Sequence, residues 1–267
     1  MQGAGNDFVL IDDRSRSFPA VDAEWMARLA HRRTGVGCDG WVLIQPSDLA
    51  DFRMRFFNPD GREADMCGNG ARCVARLAAK LRAAPPCMTI ETNAGLLRAE
   101  MAGAEVRLAM PPPRRWRLRE RIEVNGVSLE CSYIDTGVPH AVVECEDLDR
   151  CDVRGAGAAI RRHAAFAPDG ANADFMRITG PRALAVRTYE RGVEDETLAC
   201  GTGVTAAALV AARLNRVQPP VRVTVRGGDV LTVDFRLTED GAADVTLLGP
   251  AEFVFEGVLA YPPEAET

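Results

Sequence analysis

The pattern Cys-Gly-x-Gly occurs twice, as Cys67-Gly68-Asn69-Gly70 and Cys200-Gly201-Thr202-Gly203, each time ahead of an Ala- and Leu-rich stretch. The two cysteines stand 133 residues apart (200 − 67), half of a 267-residue chain. At that offset Ala75 falls on Ala208, Ala78 on Ala211, Ala79 on Ala212, Leu81 on Leu214 and Glu63 on Glu196. A repeat of this length constrains the fold, because each half must build the same supersecondary unit. Two thiols at equivalent helix mouths suit chemistry that needs matched groups on opposite faces of one atom.

Apolar runs bounded by Gly, Asp and Pro predict strands at Phe8–Asp12, Gly40–Gln45 and Phe52–Phe57. Helical spacing predicts a helix over Ala23–His31. After the turn Asn58-Pro59-Asp60-Gly61, a second helix runs from Gly68 to about Leu81. It is apolar along most of its length, as a buried helix is. Met88–Glu91 and Leu96–Met101 flank a hairpin at Thr92-Asn93-Ala94-Gly95, and Val106–Met110 adds a short strand. Pro111-Pro112-Pro113 marks the boundary between halves. Beyond it, strands are expected at Ser132–Asp135, Ala141–Glu144, Ala173–Ile178, Ala183–Tyr189, Val221–Val225, Val230–Phe235 and Ala243–Leu248, with a helix at Gly203–Leu214. The predicted class is α/β of the α+β kind: two pseudo-symmetric domains, each a curved, mostly antiparallel sheet wrapped around a central helix. Residues 1–112 carry Cys67 and residues 113–256 carry Cys200. The segment Ala251–Leu259, and with it 257–267, is a candidate to cross back to the first half.

Composition excludes several functions. The net charge is −6 and no basic stretch is prominent, so neither nucleic acid nor an anionic membrane is expected as a partner. Arg114-Arg115-Trp116-Arg117 reads as a short solvated linker. No apolar run is long enough to span a bilayer. Met1–Asp7 has neither a basic n-region nor an apolar h-region, which predicts a cytoplasmic protein. The eight cysteines include no Cys-x-x-Cys pair, and His31, His140 and His163 lack metal-ligand spacing. No metal site or thioredoxin-type motif is therefore expected. Most of the cysteines read as small buried hydrophobes, with Cys67 and Cys200 set apart by their surroundings. Lys80 is the single lysine and lies well down the helix after Cys67, a poor position for a pyridoxal phosphate Schiff base. No cofactor is expected.

A cysteine at a helix N-terminus sees unpaired N–H groups and the positive end of the macrodipole. Both are expected to lower its pKa from about 8.5 and favour thiolate. The same N–H groups bind carboxylates. Two such helices meeting tip to tip would make one anion site with a sulfur on either side. With an amino acid's α-carboxylate there, one thiolate removes the α-proton and the opposite thiol returns one to the other face. Two rival readings are a flexible turn that packs a duplicated core and a phosphate-binding loop. The second lacks both Gly-x-x-x-x-Gly-Lys-Ser/Thr and a Gly-x-Gly-x-x-Gly after a strand.

Five segments together resemble the diaminopimelate epimerases over nearly the whole chain. They are Gln2-Gly3-Ala4-Gly5-Asn6-Asp7-Phe8; Phe57–Gly61 with Cys67–Cys73; Glu91-Thr92-Asn93-Ala94-Gly95; Tyr189-Glu190-Arg191-Gly192; and Glu196-Thr197 with Ala199–Gly203. The resemblance implies an isomerase that interconverts LL- and meso-diaminopimelate without a cofactor, in lysine and peptidoglycan precursor biosynthesis, and a homodimer. It implies Cys67 and Cys200 as the two bases, with His140 and Glu190 as auxiliary polar groups near the thiols. It implies Asn6, Asn58, Asn172, Glu190 and Arg191 as substrate-holding residues, beside the helix-start residues Gly68, Asn69, Gly201 and Thr202. Arg191 suits a distal carboxylate, which guanidinium grips through two hydrogen bonds. Taken alone, Asn58 reads as a turn residue and His140 as a core histidine.

Two departures stand out. Val138 occupies the place of an asparagine in the family's usual Gly-Asn-Pro-His. Only Met1 and Gln2 precede the Gly-x-Gly-Asn motif, so either the first strand is missing or the start is truncated. Val138 keeps open a racemase of the same fold for another amino acid. A non-catalytic binding protein or thiol switch is the alternative of a different class.

Overall fold

Strand pairings recur along the chain at a nearly constant offset. The computed structural model describes residues 1–18 and 22–259. The first half comprises β1 (Gln2–Gly3), β2 (Asn6–Asp12), α1 (Ala23–Ala30), β3 (Gly40–Gln45), β4 (Phe52–Phe57), β5 (Glu63–Ala64), α2 (Gly68–Lys80), β6 (Cys87–Thr92), β7 (Gly95–Ala102) and β8 (Glu105–Ala109). The second comprises β9 (Arg114–Val124), β10 (Val127–Asp135), β11 (Pro139–Glu144), α3 (Val153–Arg161), β12 (Asn172–Gly180), β13 (Ala183–Glu190), β14 (Asp195–Thr197), α4 (Gly201–Arg213), β15 (Val221–Thr224), β16 (Val230–Leu237) and β17 (Ala242–Pro250). Phe8 pairs with Gly40 in the parallel β2–β3 ladder, and His140 pairs with Asn172 in β11–β12, each 132 residues on. Trp41 opposite Phe57 recurs as Ala173 opposite Tyr189. Phe57 opposite Glu63 recurs as Tyr189 opposite Glu196, so one extra residue in the second loop raises the offset to the 133 seen at the cysteines.

Each half has three layers, set by the period-two alternation of its strands. Val42 and Ile44 of β3 face α2, in one core with Met54, Phe56, Val74, Ala75 and Ala78. Trp41 and Leu43 face the other way, against Trp25 and Met26 of α1. In the second half Val142, Met176 and Val186 pack on Val204, Ala207, Ala208 and Leu209 of α4. Phe175 and Tyr189 pack on Val153 and Ile160 of α3. Short alanines on α2 and α4 let strands close around them from several sides. A Cβ on Gly157 would lie 2.5 Å from the Tyr189 Cβ, so this glycine sets how closely α3 approaches its sheet.

The halves are stitched together by β8 and β17, with Leu108 opposite Leu247 and Val106 opposite Gly249. Beyond β17 the chain returns to the first half: Gln2 and Glu252 exchange both backbone hydrogen bonds, at 2.9 and 2.7 Å. Residues 260–267 of the expected return lie outside the described residues.

Several sequence expectations need correction. Arg114–Arg117 opens the eleven-residue strand β9 and is not a linker. β9 and β10 form a hairpin through Asn125-Gly126, whose φ values of 52° and 79° are those of a tight two-residue turn. The Arg117 guanidinium lies 4.4 Å from the Tyr133 ring centroid, a contact that holds the charged strand down. Helix α3 was not anticipated, and α4 begins at Gly201 instead of Gly203. The first strand is short but present: Gln2–Gly3 turns through Ala4 and Gly5, at φ 55° and 82°, to pair with Asn6–Asp7. Of the cysteines, Cys38, Cys73, Cys131 and Cys200 are buried, whereas Cys87 is exposed and Cys67, Cys145 and Cys151 are intermediate.

Candidate active site

The two central helices begin in the same way. Cys67 and Cys200 occupy the N-cap positions with extended backbones (φ −136°, ψ 120° and φ −117°, ψ 110°), and neither side chain caps its helix. The first intrahelical bonds run from Ala71 N to Cys67 O (2.8 Å) and from Val204 N to Cys200 O (2.9 Å). Residues 68–70 and 201–203 therefore point N–H groups that the helix does not use. Those of Asn69 and Gly70 lie against the Cys67 thiol, and that of Gly203 against Cys200.

The tips are joined to one another. Asn69 Nδ2 donates to Ala199 O (3.2 Å), the residue before Cys200, and to Asn6 Oδ1 (3.2 Å). Arg72 Nη2 fixes the Asn69 Oδ1 at 2.8 Å, and Arg72 Nε reaches Pro250 O at 3.1 Å. Asn6 Oδ1 lies 3.8 Å from Cys67 Sγ, and Asn6 Nδ2 donates to Asp39 Oδ2 at 2.7 Å. Cys200 Sγ lies 3.4 Å from the Thr202 hydroxyl, and Thr136 Oγ1 donates to Thr202 O at 3.0 Å. The Glu190 carboxyl acts electrostatically on both thiols. The Thr197 hydroxyl faces Glu190 but closes no well-formed hydrogen bond.

The expected lowering of the thiol pKa values is not what the structure gives. Burial pushes Cys67 up to about 11, with Glu190 adding to the rise and the Gly70 and Asn69 N–H groups opposing it. Burial, then Glu190 and Asp174, hold Cys200 well above the ordinary thiol range. Burial raises Glu190 as well. Loss of water outweighs the helix N-terminus at both sulfurs.

The other predicted residues divide by position. His140 is fully buried, its Nδ1 2.7 Å from Asp174 Oδ2, and Thr188 Oγ1 donates to Asp174 Oδ1 at 2.7 Å. His140 Nε2 has no partner among the described residues. A Cβ on Gly203 would lie 2.2 Å from Asp174 Oδ1, so only glycine admits this carboxylate beside the start of α4. Asn172 spends its amide inside the protein, donating to Pro139 O (3.1 Å) and accepting from Arg191 N (2.7 Å). Its visible task is to hold the Arg191 backbone. Arg191 Nη1 reaches Asp169 O at 3.1 Å. Asn58 is exposed, in a turn closed by Gly61 N to Asn58 O. Lys80 lies at the far end of α2, 4.4 Å from the Phe253 ring centroid.

Sequence reading passed over Asp174, Arg72 and Asp39. A usable signal existed for two of them. Asp174 is two residues from Asn172 on one strand, hence on the same sheet face. Arg72 is a charge near the start of an otherwise apolar helix.

The arrangement can seat a carboxylate on two sets of free N–H groups and present a thiol from each half to the atom beside it. A family model described as diaminopimelate epimerase matches residues 1–116 and 132–254. A diaminopimelate epimerase of Chlorobaculum tepidum is 43% identical over 97% of this chain and 99% of its own length. One of Aquifex aeolicus is 42% identical over 97% of this chain and 96% of its own. Among solved structures, a Bacillus anthracis phenazine biosynthesis protein of the PhzF family aligns with a TM-score of 0.72 at 18% identity, covering 97% of this chain and 95% of that one. A hydroxyproline epimerase from Agrobacterium vitis aligns at 0.61 and 17%, covering 96% and 89%. At such identities these two speak for the fold alone. Two cysteine-capped helix tips joined through Asn69, in a sequence so close to these relatives from end to end, lead to one assignment: the chain belongs to the diaminopimelate epimerase family.

Proposed function

We propose that this protein inverts the α-carbon of LL-diaminopimelate to give the meso isomer, using Cys67 and Cys200 as a base–acid pair and no cofactor. The observation that carries the reading is the pair of thiol-capped tips, tied together by Asn69 and sharing Glu190. The α-carboxylate sits on the N–H groups of Gly68, Asn69, Gly201 and Thr202. The α-ammonium that enters with it is a positive charge beside the thiols; it draws one of them to thiolate, whose proton passes to bulk water as the substrate binds. That sulfur takes the α-proton, charge builds on the carboxylate, and the N–H groups stabilise it. The opposite thiol then delivers its proton to the other face. His140 and Glu190 adjust the thiols, Asn6 and Asn58 line the approach, and Arg191, positioned through Asn172, grips the distal carboxylate. The reading includes two domains, residues 1–112 and 113–256, that bring one tip each. The reading also includes a homodimeric assembly, which the sequence resemblance implies, and a cytoplasmic location for a biosynthetic enzyme.

One observation favours a second reading. Val138 is the 132-residue counterpart of Asn6, yet it offers no side-chain hydrogen bond. A racemase for a mono-carboxylic amino acid needs no polar contact at a distal centre. Incubation in D₂O with LL-diaminopimelate and a panel of simple amino acids separates the two readings. Rapid deuterium uptake at the α-carbon of diaminopimelate is expected. Efficient uptake by a mono-carboxylic amino acid, with diaminopimelate turned over poorly, would move the assignment to the racemase.

A further inference from the structure

Among the described residues, Arg72 is a buried cation without a counter-ion. The residue is 0% exposed, and among the described residues it forms no ion pair. Its Nε and Nη2 are spent on Pro250 O and Asn69 Oδ1, both uncharged acceptors. Its Nη1 is buried and has no partner among the described residues. That nitrogen lies 4.0 Å from the point where a Cβ on Gly201 would stand, so it is directed at the first turn of α4. A vacant guanidinium N–H in a dry interior is costly unless an anion completes it. Burial pulls the Arg72 pKa down, but guanidinium starts high enough to remain charged.

The repeat shows what is special here. At the offset of 133, Arg72 corresponds to Thr205, whose hydroxyl only folds back onto Gly201 O at 2.9 Å. At 132, Phe8, Val42 and Asn58 of the first half correspond to His140, Asp174 and Glu190 of the second. Arg72 therefore lies on the helix that Cys67 caps, bonded to Asn69, whereas Asp174 lies against Gly203 on the helix that Cys200 caps; Glu190 acts on both sulfurs. The charged and titratable groups around Cys67 are Arg72 and Glu190. Those around Cys200 are Glu190 and Asp174, the latter paired with His140. Arg72 itself is faced by Cys67 and Cys73 and, less closely, by Asp229 and Glu105; Cys73 also faces the Met1 ammonium.

Resting on the two-thiol reading of the site, we infer that Arg72 is the fixed positive charge beneath the carboxylate cradle and that it makes the sulfurs unequal, with Cys67 the first to lose its proton. Arg72 acts through Asn69 and through space, as a positioning and charge-setting residue. Binding of a carboxylate completes the Nη1 shell, so the same group that biases Cys67 also selects an anionic ligand.

The test is the pH profile of iodoacetamide labelling, read by mass spectrometry at Cys67 and at Cys200 in the wild-type protein, Arg72→Lys and Arg72→Met. The midpoint on the pH axis is compared, because absolute rates also reflect access to the sulfur. In the wild type Cys67 is expected to reach half-maximal reactivity at lower pH than Cys200. Arg72→Met should move the Cys67 midpoint up by about one pH unit, a tenfold loss of thiolate at fixed pH, and move Cys200 less. Arg72→Lys should keep the wild-type order. A Cys200 midpoint below that of Cys67 in the wild type overturns the inference, as does an unmoved Cys67 midpoint in folded Arg72→Met. If Arg72→Met does not fold, the wild-type order and Arg72→Lys decide. None of these midpoints depends on turnover, so failure to epimerise diaminopimelate would count against the proposed function and leave this result intact.

Discussion

At the tip of α2, Cys67 faces the amide of Asn6, which is held by Asp39. At the tip of α4, Cys200 faces the Thr202 hydroxyl and feels the carboxylates of Glu190 and Asp174. The backbones of the two tips are near copies, and the strand registers behind them repeat. The side chains around the sulfurs do not repeat. The contrast separates two kinds of constraint. A curved sheet around a helix needs only apolar alternation and small helix residues, which a duplicated sequence can keep while most positions drift. The reactivity of a thiol depends on a few charges at particular places, and these can differ between halves without disturbing the fold. A substrate with one reacting centre and one distant centre asks for such a difference.

The strongest way to break the comparison is to remove each sulfur in turn. Cys67→Ala and Cys200→Ala should each lower epimerisation in both directions by about 10²–10⁴-fold or more, the usual contribution of a positioned acid or base. Initial rates from the LL and the meso side would show it, and near-normal turnover by either variant ends the two-base account. Cys73→Ala, at a fully buried position further along α2, should retain most activity.

Asp174→Ala sharpens the asymmetry on the stability side. It leaves His140 Nδ1 and Thr188 Oγ1 without their shared acceptor in a dry interior. A loss of about 2–4 kcal/mol is expected, measured as a lower denaturant midpoint. A cost below about 0.5 kcal/mol would mean that water or a rearranged partner replaces the carboxylate.

Arg191→Ala probes the distal end of the second half. We expect kcat/KM for diaminopimelate to fall about 10–100-fold, the worth of one charge-assisted contact, with thermal unfolding unchanged. An unaltered kcat/KM would leave the distal carboxylate without its assigned partner. Smallest of all should be Gly126→Ala in the β9–β10 turn, where φ is 79°. About 1 kcal/mol of stability should be lost, and activity should not change; a loss of activity would tie this hairpin to the site.

The halves, the two central helices and both thiols were legible because each left a periodic or repeated mark. Strand β9 left one too. Trp116, Leu118, Ile122 and Val124 alternate with charges, but the arginines beside them dominate the composition and suggest solvent. Helix α3 was obscured by Gly155 and Gly157, although the repeat places it 130 residues after α1, where a helix was already expected. The thiol pKa values were not legible at all. A helix N-terminus is a local feature that sequence can announce, whereas burial is the work of strands far away in the chain. At these sulfurs burial is the larger effect. Asn172 shows the same limit: its amide is consumed by Pro139 and Arg191, partners 33 and 19 residues away.

The central claim is that one α-carbon is worked on by two sulfurs from two halves. Early-time turnover of protiated LL-diaminopimelate in D₂O, with product and remaining substrate analysed separately by mass spectrometry, tests it most directly. With two bases, the abstracted proton stays on one sulfur while the other delivers deuterium. The meso product should then carry one deuterium from its first appearance, and the recovered substrate should carry none. Protium retained in the first meso product would mean that a single group removes and returns the proton, and the two-thiol account would be wrong.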